Sequence, residues 1–174
     1  MKNSQRNEGF TLIELLIVVA IIGIIAAIAV PGLLRARMSG NEASAIGSLR
    51  AVNTAQQNFS QLCQGFGDSL LDLAFAPAGT QPYLSPDMTN GATITKSGYA
   101  MTMTAGGGAA VTVGPCIAQT PFTGYYLTAA ASSWGSTGTR AFATNQAGTI
   151  WQDSGSNTPP PEPFTIGGTI DVIR

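Results

Sequence analysis

The chain has 174 residues, a formal net charge of −1 and no histidine, and only 10% of its residues are charged. Small soluble proteins usually have about a quarter of their residues charged, and here the apolar excess is concentrated in residues 10–34. The length allows one domain plus a long anchoring element, and the absence of a basic face argues against a dedicated nucleic-acid-binding protein.

The first element is an apolar segment that follows a short polar, basic leader. From Phe10 to Val30 the segment has 21 residues, and Thr11 and Glu14 carry its only polar side chains. About 20 apolar residues span a bilayer as a helix. The sequence after Val30, PGLLRAR, lacks the small-residue site at which an ordinary secretory signal is cut. We therefore predict that the segment is retained as a membrane-spanning helix.

The charges that flank this segment do not orient it. Lys2 and Arg6 precede it, and Arg35 and Arg37 follow it. The positive-inside rule compares such basic residues on the two sides of a span. With two on each side, it leaves the topology undetermined.

Glu14 lies only a few residues inside the apolar segment, where a carboxylate is costly unless it finds a partner. If the chain is cut after Gly9, Phe10 gains a free amine four residues before Glu14, on the same helical face. The amine and the carboxylate could pair within one molecule, or Glu14 could reach the membrane surface. Alternatively, Glu14 could pair with the amine of a neighbouring subunit. The residues alone leave these alternatives open.

The leader ending in Gly9, the sequence Phe-Thr-Leu-Ile-Glu at residues 10–14 and the long apolar run resemble the type IV pilin and pseudopilin signature. The resemblance covers residues 9–31, including Pro31, and continues loosely to about residue 60. It implies that a prepilin peptidase cleaves between Gly9 and Phe10 on the cytoplasmic side and N-methylates Phe10. It also implies that Phe10, Glu14 and Pro31 serve filament assembly, with Glu14 in subunit registration.

The same resemblance implies the partners and the location of the chain. The monomer would cross the bacterial inner membrane once with its head in the periplasm. Assembly machinery would then move it into a homopolymeric helical filament, either an extracellular pilus or a periplasmic pseudopilus. Gly23 and Pro31 both weaken a helix, so we expect the segment between them to melt locally in the assembled filament.

Apolar residues recur at helical spacing after Pro31, which predicts one continuous helix over residues 10–62 with an amphipathic second half. The predicted buried face contains Leu34, Met38, Ile46, Leu49, Val52, Phe59 and Leu62. Arg35, Arg37 and Glu42 are expected to form a solvated collar, with contact to lipid headgroups or a neighbouring subunit as the alternative.

The rest of the chain predicts a β-rich head over residues 63–174. The strand candidates are residues 98–104, 123–130, 140–144 and 148–152, with a hairpin turn from Asn145 to Gly148. Residues 68–75 are expected to form a short helical turn, residues 76–90 a loop, and residues 159–161 extended polyproline. The last ten residues are a candidate edge strand. The predicted fold class is α+β, with the long helix packed on an antiparallel sheet of about four strands and residues 1–9 as a cleaved leader.

The two cysteines, Cys63 and Cys116, are far apart in the sequence. In an exported head an even cysteine count favours one disulfide, with two separate buried thiols as the alternative. In chain-entropy models, closing the loop between these cysteines stabilises the folded state by about 4 kcal/mol.

The sequence predicts no enzyme, no cofactor and no metal site. It lacks histidine, GxSxG, Walker-loop and HExxH motifs, and two distant cysteines are too few for structural zinc. Asp68 and Asp72 are expected on a solvated face. The leading hypothesis is a structural subunit of a type IV pilus, which serves adhesion, twitching or DNA uptake. The alternatives are a pseudopilin of a type II secretion system and a membrane-tethered binding module that does not polymerise.

Overall fold

The computed structural model describes residues 10–75, 81–111, 116 and 121–173. Gly9, the rest of the predicted leader and residues 76–80 of the predicted loop lie outside this part of the chain. The chain divides into two compact units, residues 1–36 and residues 37–174.

One long helix, α1 (Leu12–Cys63, 52 residues), runs through Pro31. In the first unit every described side chain, from Phe10 to Ala36, is exposed. In the second unit one face of the helix is buried, beginning at Glu42. This change along a single helix follows the sequence, which is apolar on all sides before Pro31 and mixed in character after it.

The second unit contains an antiparallel sheet of six strands within the described residues, and each strand pairs with its neighbours in the sequence. The strands are β1 (Thr93–Lys96), β2 (Tyr99–Thr104), β3 (Tyr126–Ala131), β4 (Ala141–Asn145), β5 (Ile150–Asp153) and β6 (Ile170–Val172). Two short 3-10 helices, Asp72–Ala74 and Pro86–Met88, precede the sheet.

The α+β class is confirmed, but the expectation of about four strands was too low. The edge strand expected in the last ten residues is present as β6, which pairs with β5. The sequence did not predict β1, a four-residue strand that begins two residues after Gly91 and ends at a tight turn. Its partner β2 supplies the pairing that fixes it in the sheet.

The turn between β4 and β5 forms where the sequence predicts it. The Gly148 N–H donates to the Asn145 carbonyl at 2.8 Å, and Gly148 has a φ of 74°. A left-handed residue of this kind favours glycine because a Cβ would be strained there. The turn sets the register that pairs Thr144 with Ile150.

The core of the second unit lies between the buried face of α1 and the inner face of the sheet. The largest apolar contributions of the helix to this core are Leu49, Val52 and Phe59, each with 0% exposure. Leu34 is 50% exposed and Leu62 is 40% exposed, so the prediction that these two residues lie on the buried face was wrong. The next residue, Cys63, takes the buried position one turn after Phe59.

Two amide side chains also lie on the buried face of α1, and both have hydrogen-bond partners. The Asn53 amide donates to Thr144 Oγ1 at 3.0 Å, and its oxygen accepts from the Tyr125 hydroxyl at 2.9 Å. Gln56 is fully buried and exchanges two hydrogen bonds with the backbone of Gly67, at 2.9 and 3.0 Å. Paired in this way, buried amides specify how the helix docks on the head without the cost of unpaired polar groups.

Glu42 corrects the predicted collar. Arg35 and Arg37 are exposed as expected. Glu42 is only 5% exposed and forms an ion pair with Arg140, so it is not solvated. No local pattern around Glu42 indicates this, because the partner lies 98 residues away.

The segment after β5 crosses the outer face of the sheet. The Tyr126 hydroxyl donates to the Pro160 carbonyl at 2.6 Å, and the ring of Phe164 stacks on Trp151 with centroids 5.3 Å apart. As predicted, residues 159–161 form neither helix nor strand. The aromatic contacts hold this proline-rich segment against the sheet.

Candidate processing and assembly segment

The first turn of α1 is closed by Thr11 and Glu14. The Thr11 backbone N–H and hydroxyl both donate to Glu14 Oε2, at 2.9 and 2.6 Å, and the Glu14 N–H reaches Thr11 Oγ1 at 3.3 Å. This reciprocal arrangement is a capping box, in which a threonine before the helix and a glutamate three residues later satisfy each other's backbone donors. Glu14 therefore starts its own helix, in addition to any role between subunits.

Our sequence reasoning missed this capping role, although the signal was present. Thr-x-x-Glu directly before an apolar run is the sequence pattern of a capping box. We treated Glu14 only as a charge that needs a partner. The cap meets part of this need within the same turn, because Thr11 donates two hydrogen bonds to Oε2. Within the described residues, Oε1 takes part in no hydrogen bond.

Phe10 stands directly before the cap, and its side chain is 77% exposed. Gly9 lies outside the described residues, so the structure places only one side of the predicted cleavage point. Glu14 follows Phe10 by four residues, or about one helical turn. The predicted assembly residues Phe10 and Glu14 therefore lie close together in sequence at the start of α1, and Pro31 lies about five turns further on.

The helix beyond the cap presents an apolar surface that no described residue of the chain covers. Its large side chains between Leu12 and Leu34 have exposures between 47% and 79%. An 18-residue window in this helix has a mean hydropathy of 3.1 and no buried residue. By length and composition the helix can cross a membrane. An apolar surface of this size in water would drive association, so its surroundings must be lipid or other protein.

Three residues between Leu12 and Leu34 lower the intrinsic stability of this part of the helix. Pro31 has no N–H to donate to the carbonyl of Ala27, so one hydrogen bond of the helix is missing. A Cβ added at Gly23 or at Gly32 would meet nothing within 4 Å. The chain itself therefore does not require glycine at these two positions, whereas close approach of another helix would.

The two cysteines lie in the second unit. Cys63, at the end of α1, forms a disulfide with Cys116, and their Cα atoms are 5.0 Å apart. Both are buried, with exposures of 0% and 1%. The bridge ties the end of the helix to the middle of the head, and it is placed to stabilise the head.

Asp72 differs from the solvated acid that the sequence led us to expect. Its Oδ2 accepts from the backbone N–H of Asp68 and of Ser69, at 3.0 and 3.1 Å, and from the Ser69 hydroxyl at 3.2 Å. Burial, assisted by the side chain of Asp68, raises the pKa of Asp72 to about 6. The carboxyl organises the loop after the disulfide-bonded end of α1. Within the described residues, no three or more acidic or cysteine side chains come together as a metal site would require.

Comparison with known proteins gives one family match, which falls on this segment. Residues 4–30 match the family model described as the prokaryotic N-terminal methylation motif.

Two relatives are similar to this chain over part of its length. The chain is 46% identical over 74 residues to the type IV major pilin protein PilA of Myxococcus xanthus, a match that covers 42% of this chain and 34% of that protein. It is 62% identical over 39 residues to the type IV wide pilus major component PilA4 of Thermus thermophilus, covering 22% and 30% of the two chains. The matches thus span about a third of the length of each relative. No solved structure matches the chain significantly.

Proposed function

We propose that this chain, which carries the N-terminal methylation motif and is similar to type IV pilins, is a structural subunit of a type IV pilus. The resemblance predicted from residues 9–31 is confirmed by the motif match and by the two pilin relatives. The observation that carries the functional proposal is the combination of this motif with the exposed apolar helix that follows it. Both relatives are named as major pilus components, which favours a pilus over a secretion pseudopilus.

The first proposed step is processing of the leader. A prepilin peptidase would cut between Gly9 and Phe10 and methylate the new amine of Phe10. The motif match across residues 4–30 and the exposure of Phe10 support this step. The capping box supports it too, because Thr11 and Glu14 lie after the cut and keep the first turn closed when the leader leaves.

The second step is storage in the inner membrane, with the head in the periplasm, followed by transfer into a filament by the assembly machinery. The apolar side chains of the helix suit lipid and a bundle of like helices about equally. The exchange therefore needs little work against the hydrophobic effect. Packing and charge neutralisation then determine which surroundings are preferred.

Glu14 supplies the proposed charge neutralisation. Its Oε2 is held by Thr11, so the carboxylate is fixed at a defined height near the start of the helix. The methylated amine of Phe10 in a neighbouring subunit would meet the carboxylate in the filament core. A carboxylate in apolar surroundings gains substantially from such a partner, and this gain depends on the axial position of the two subunits. Glu14 would therefore set their register.

The test combines mass spectrometry with two matched variants. The mature protein should begin at N-methylated Phe10, whereas an intact Met1 terminus in sheared filaments would contradict the processing. Glu14→Gln should insert into the membrane normally and reduce the filament yield at least tenfold. Thr11→Ala removes the hydroxyl donor of the cap but keeps the carboxylate, so filaments should form at close to the wild-type yield.

The comparison separates the two roles of Glu14. A cap of this kind contributes about 1 kcal/mol to a helix, which lipid or a filament core easily replaces. Equal loss of filaments in both variants would mean that Glu14 acts only as a helix cap. Wild-type yield in Glu14→Gln would remove the registration role, and absence of any filament containing the wild-type chain would refute the pilus subunit itself.

A further inference from the structure

Contacts within the second unit show which end of the sheet lies beside Asn41, and which lies beside Asn53, further along α1. Just before β3, the Tyr125 hydroxyl donates to Asn53. Beyond β3, the Thr137 carbonyl accepts from the Asn41 amide at 2.9 Å. Strand β3 therefore runs toward the N-terminal end of the head's part of α1. The loop that follows it, residues 132–140, lies at this end of the head, which we call the proximal end.

Trp134 lies on this loop and is 41% exposed. The loop that carries it is closed by the Thr137 N–H, which donates to the Ser133 carbonyl at 2.9 Å, and by the Gly135 N–H, which donates to the Gly138 carbonyl at the same distance. The Asn41 amide then fixes the loop to the helix. Trp134 thus lies, partly exposed, on an ordered turn.

Ile166 is a second exposed apolar side chain at the proximal end, with 71% exposure. It precedes a turn in which Thr169 Oγ1 donates to Asp153 Oδ1 at 2.5 Å. Asp153 pairs with Ala141, the first residue of β4, which directly follows the loop of Trp134. Two large apolar side chains are therefore exposed at the end of the head from which its helix continues toward the apolar segment.

The chain length limits how far this end can lie from the proposed bilayer. Asn41 follows Leu34, the last residue of the apolar run, by only seven residues, and seven residues reach at most about 25 Å even when fully extended. The headgroup layer on each side of a bilayer is about 5–7 Å thick. Arg35 and Arg37, both exposed, lie between these points and suit lipid phosphates.

We propose that Trp134, assisted by Ile166, docks the proximal end of the head on the headgroup layer of the bilayer before assembly. A tryptophan ring suits this layer because its body is apolar and its Nε1–H donates a hydrogen bond. The inference rests on the proposed membrane-spanning role of the apolar helix. It adds a second membrane contact, made by the folded head, which the subunit must release when it enters a filament.

The chain offers a matched experiment because its two tryptophans lie in different surroundings. In Trp151→Phe the only tryptophan is Trp134, and in Trp134→Phe it is Trp151, which is stacked on Phe164. The full-length chain is reconstituted in phosphatidylcholine–phosphatidylglycerol vesicles whose acyl chains carry bromine just below the headgroups. Flotation of the vesicles confirms that each variant is inserted.

Bromine should quench Trp134 several-fold more than Trp151, and aqueous iodide should quench it less. If Trp151→Phe fails to fold, the difference in quenching between the wild-type chain and Trp134→Phe gives the same quantity. Equal bromine quenching of the two tryptophans, with free access of iodide to Trp134, would overturn the docking. The measurement needs no filament, so a positive result would stand if the chain proved not to polymerise. Failure to float would instead refute the membrane span.

Discussion

Glu42 of α1 and Arg140, directly before β4, form an ion pair with 2.7 Å between Oε2 and Nη2, and the glutamate side chain is only 7% exposed. The other oxygen, Oε1, accepts from the Thr139 N–H and hydroxyl at 2.8 and 3.2 Å. Arg140 also donates to Gln152 at 2.8 Å. The first buried residue of the helix is therefore joined to the sheet by a fully hydrogen-bonded carboxylate, as a stable buried charge requires.

Glu42→Ala is expected to destabilise the head by about 3 kcal/mol, because it leaves the Arg140 guanidinium and the Thr139 N–H without their acceptor. Both tryptophans lie in the head, so denaturant titration of the detergent-solubilised chain followed by tryptophan fluorescence measures this loss. The exposed pair of Lys96 and Asp87, also 2.7 Å apart, provides the control. Asp87→Asn should cost less than about 1 kcal/mol. Similar losses in the two variants would contradict a structural role for the buried pair.

Replacement of both Cys63 and Cys116 by serine is expected to lower the free energy of unfolding by about 4 kcal/mol, since the bridge closes a loop with a sequence separation of 53. The same fluorescence titration measures it, with the wild-type chain under reducing conditions as the control. Non-reducing peptide mapping of the exported protein should recover the two cysteine peptides joined. Two thiols open to alkylation would show that the bridge is not formed.

Asp72 is expected to make the head less stable as the pH rises. Its folded-state pKa of about 6 is above the ordinary value of 3.8, so the stability that it contributes is fully present below 3.8 and is lost as the pH rises through about 6. Asp72→Asn keeps an oxygen that accepts from Asp68 and Ser69 but does not titrate.

Thermal unfolding from about pH 4 to about pH 7 tests this prediction. Hydrogen bonds hold the pKa of Asp87 and of Asp153 below the usual range. The stability that these two acids contribute is therefore lost as the pH falls, which is the opposite of the effect of Asp72. They are common to both proteins, and the difference between wild type and Asp72→Asn isolates Asp72. The wild type should lose stability relative to the variant as the pH rises. Parallel curves would contradict the raised pKa.

Gly138→Ala is expected to cost about 1–3 kcal/mol by overpacking. A Cβ at Gly138 would overlap the ring and hydroxyl of Tyr99, which is fully buried and donates to the Arg140 carbonyl at 2.8 Å. Gly107→Ala is the matched control, because its Cβ would meet nothing within 4 Å. Its stability should lie within about 0.5 kcal/mol of wild type. Equal free energies of unfolding for the two variants would contradict this prediction. They would show that the loop shifts to make room for the added methyl group beside Tyr99.

Elements with a strong periodic signal were the ones that the sequence could predict. Strand β2 alternates buried and partly exposed side chains over its first five residues, and the predicted range 98–104 lies close to the observed Tyr99–Thr104. Strand β1 has only four residues, and its single buried side chain, Ile94, gives an alternation too short to predict a strand. Its position depends on pairing with β2. The buried face of the helix was only partly predictable, because polar residues are expected to be exposed. Asn53 is buried because it bonds to the distant Thr144, and Gln56 is buried because it bonds to Gly67, just after the helix.

The candidate site shows the same difference between features set by local sequence and features set by the tertiary fold. Residues that depend on local sequence, such as Phe10 and the apolar run, could be singled out from the sequence as candidates, and Thr11 carried a capping signal that we overlooked. The contacts of Glu42 and the proximal position of Trp134 could not be predicted. They depend on which strand ends meet which turn of the helix, and this is decided by the tertiary fold.

The cap formed by Thr11 and Glu14 also bears on how the subunit matures. A new ammonium at Phe10 would stand beside the positive end of the helix macrodipole, an unfavourable neighbour in a medium with little screening. The carboxylate of Glu14 already sits at that end and offsets both positive charges. If the proposed cut and methylation take place, the cap can therefore keep the first turn of α1 intact while the residue before it changes.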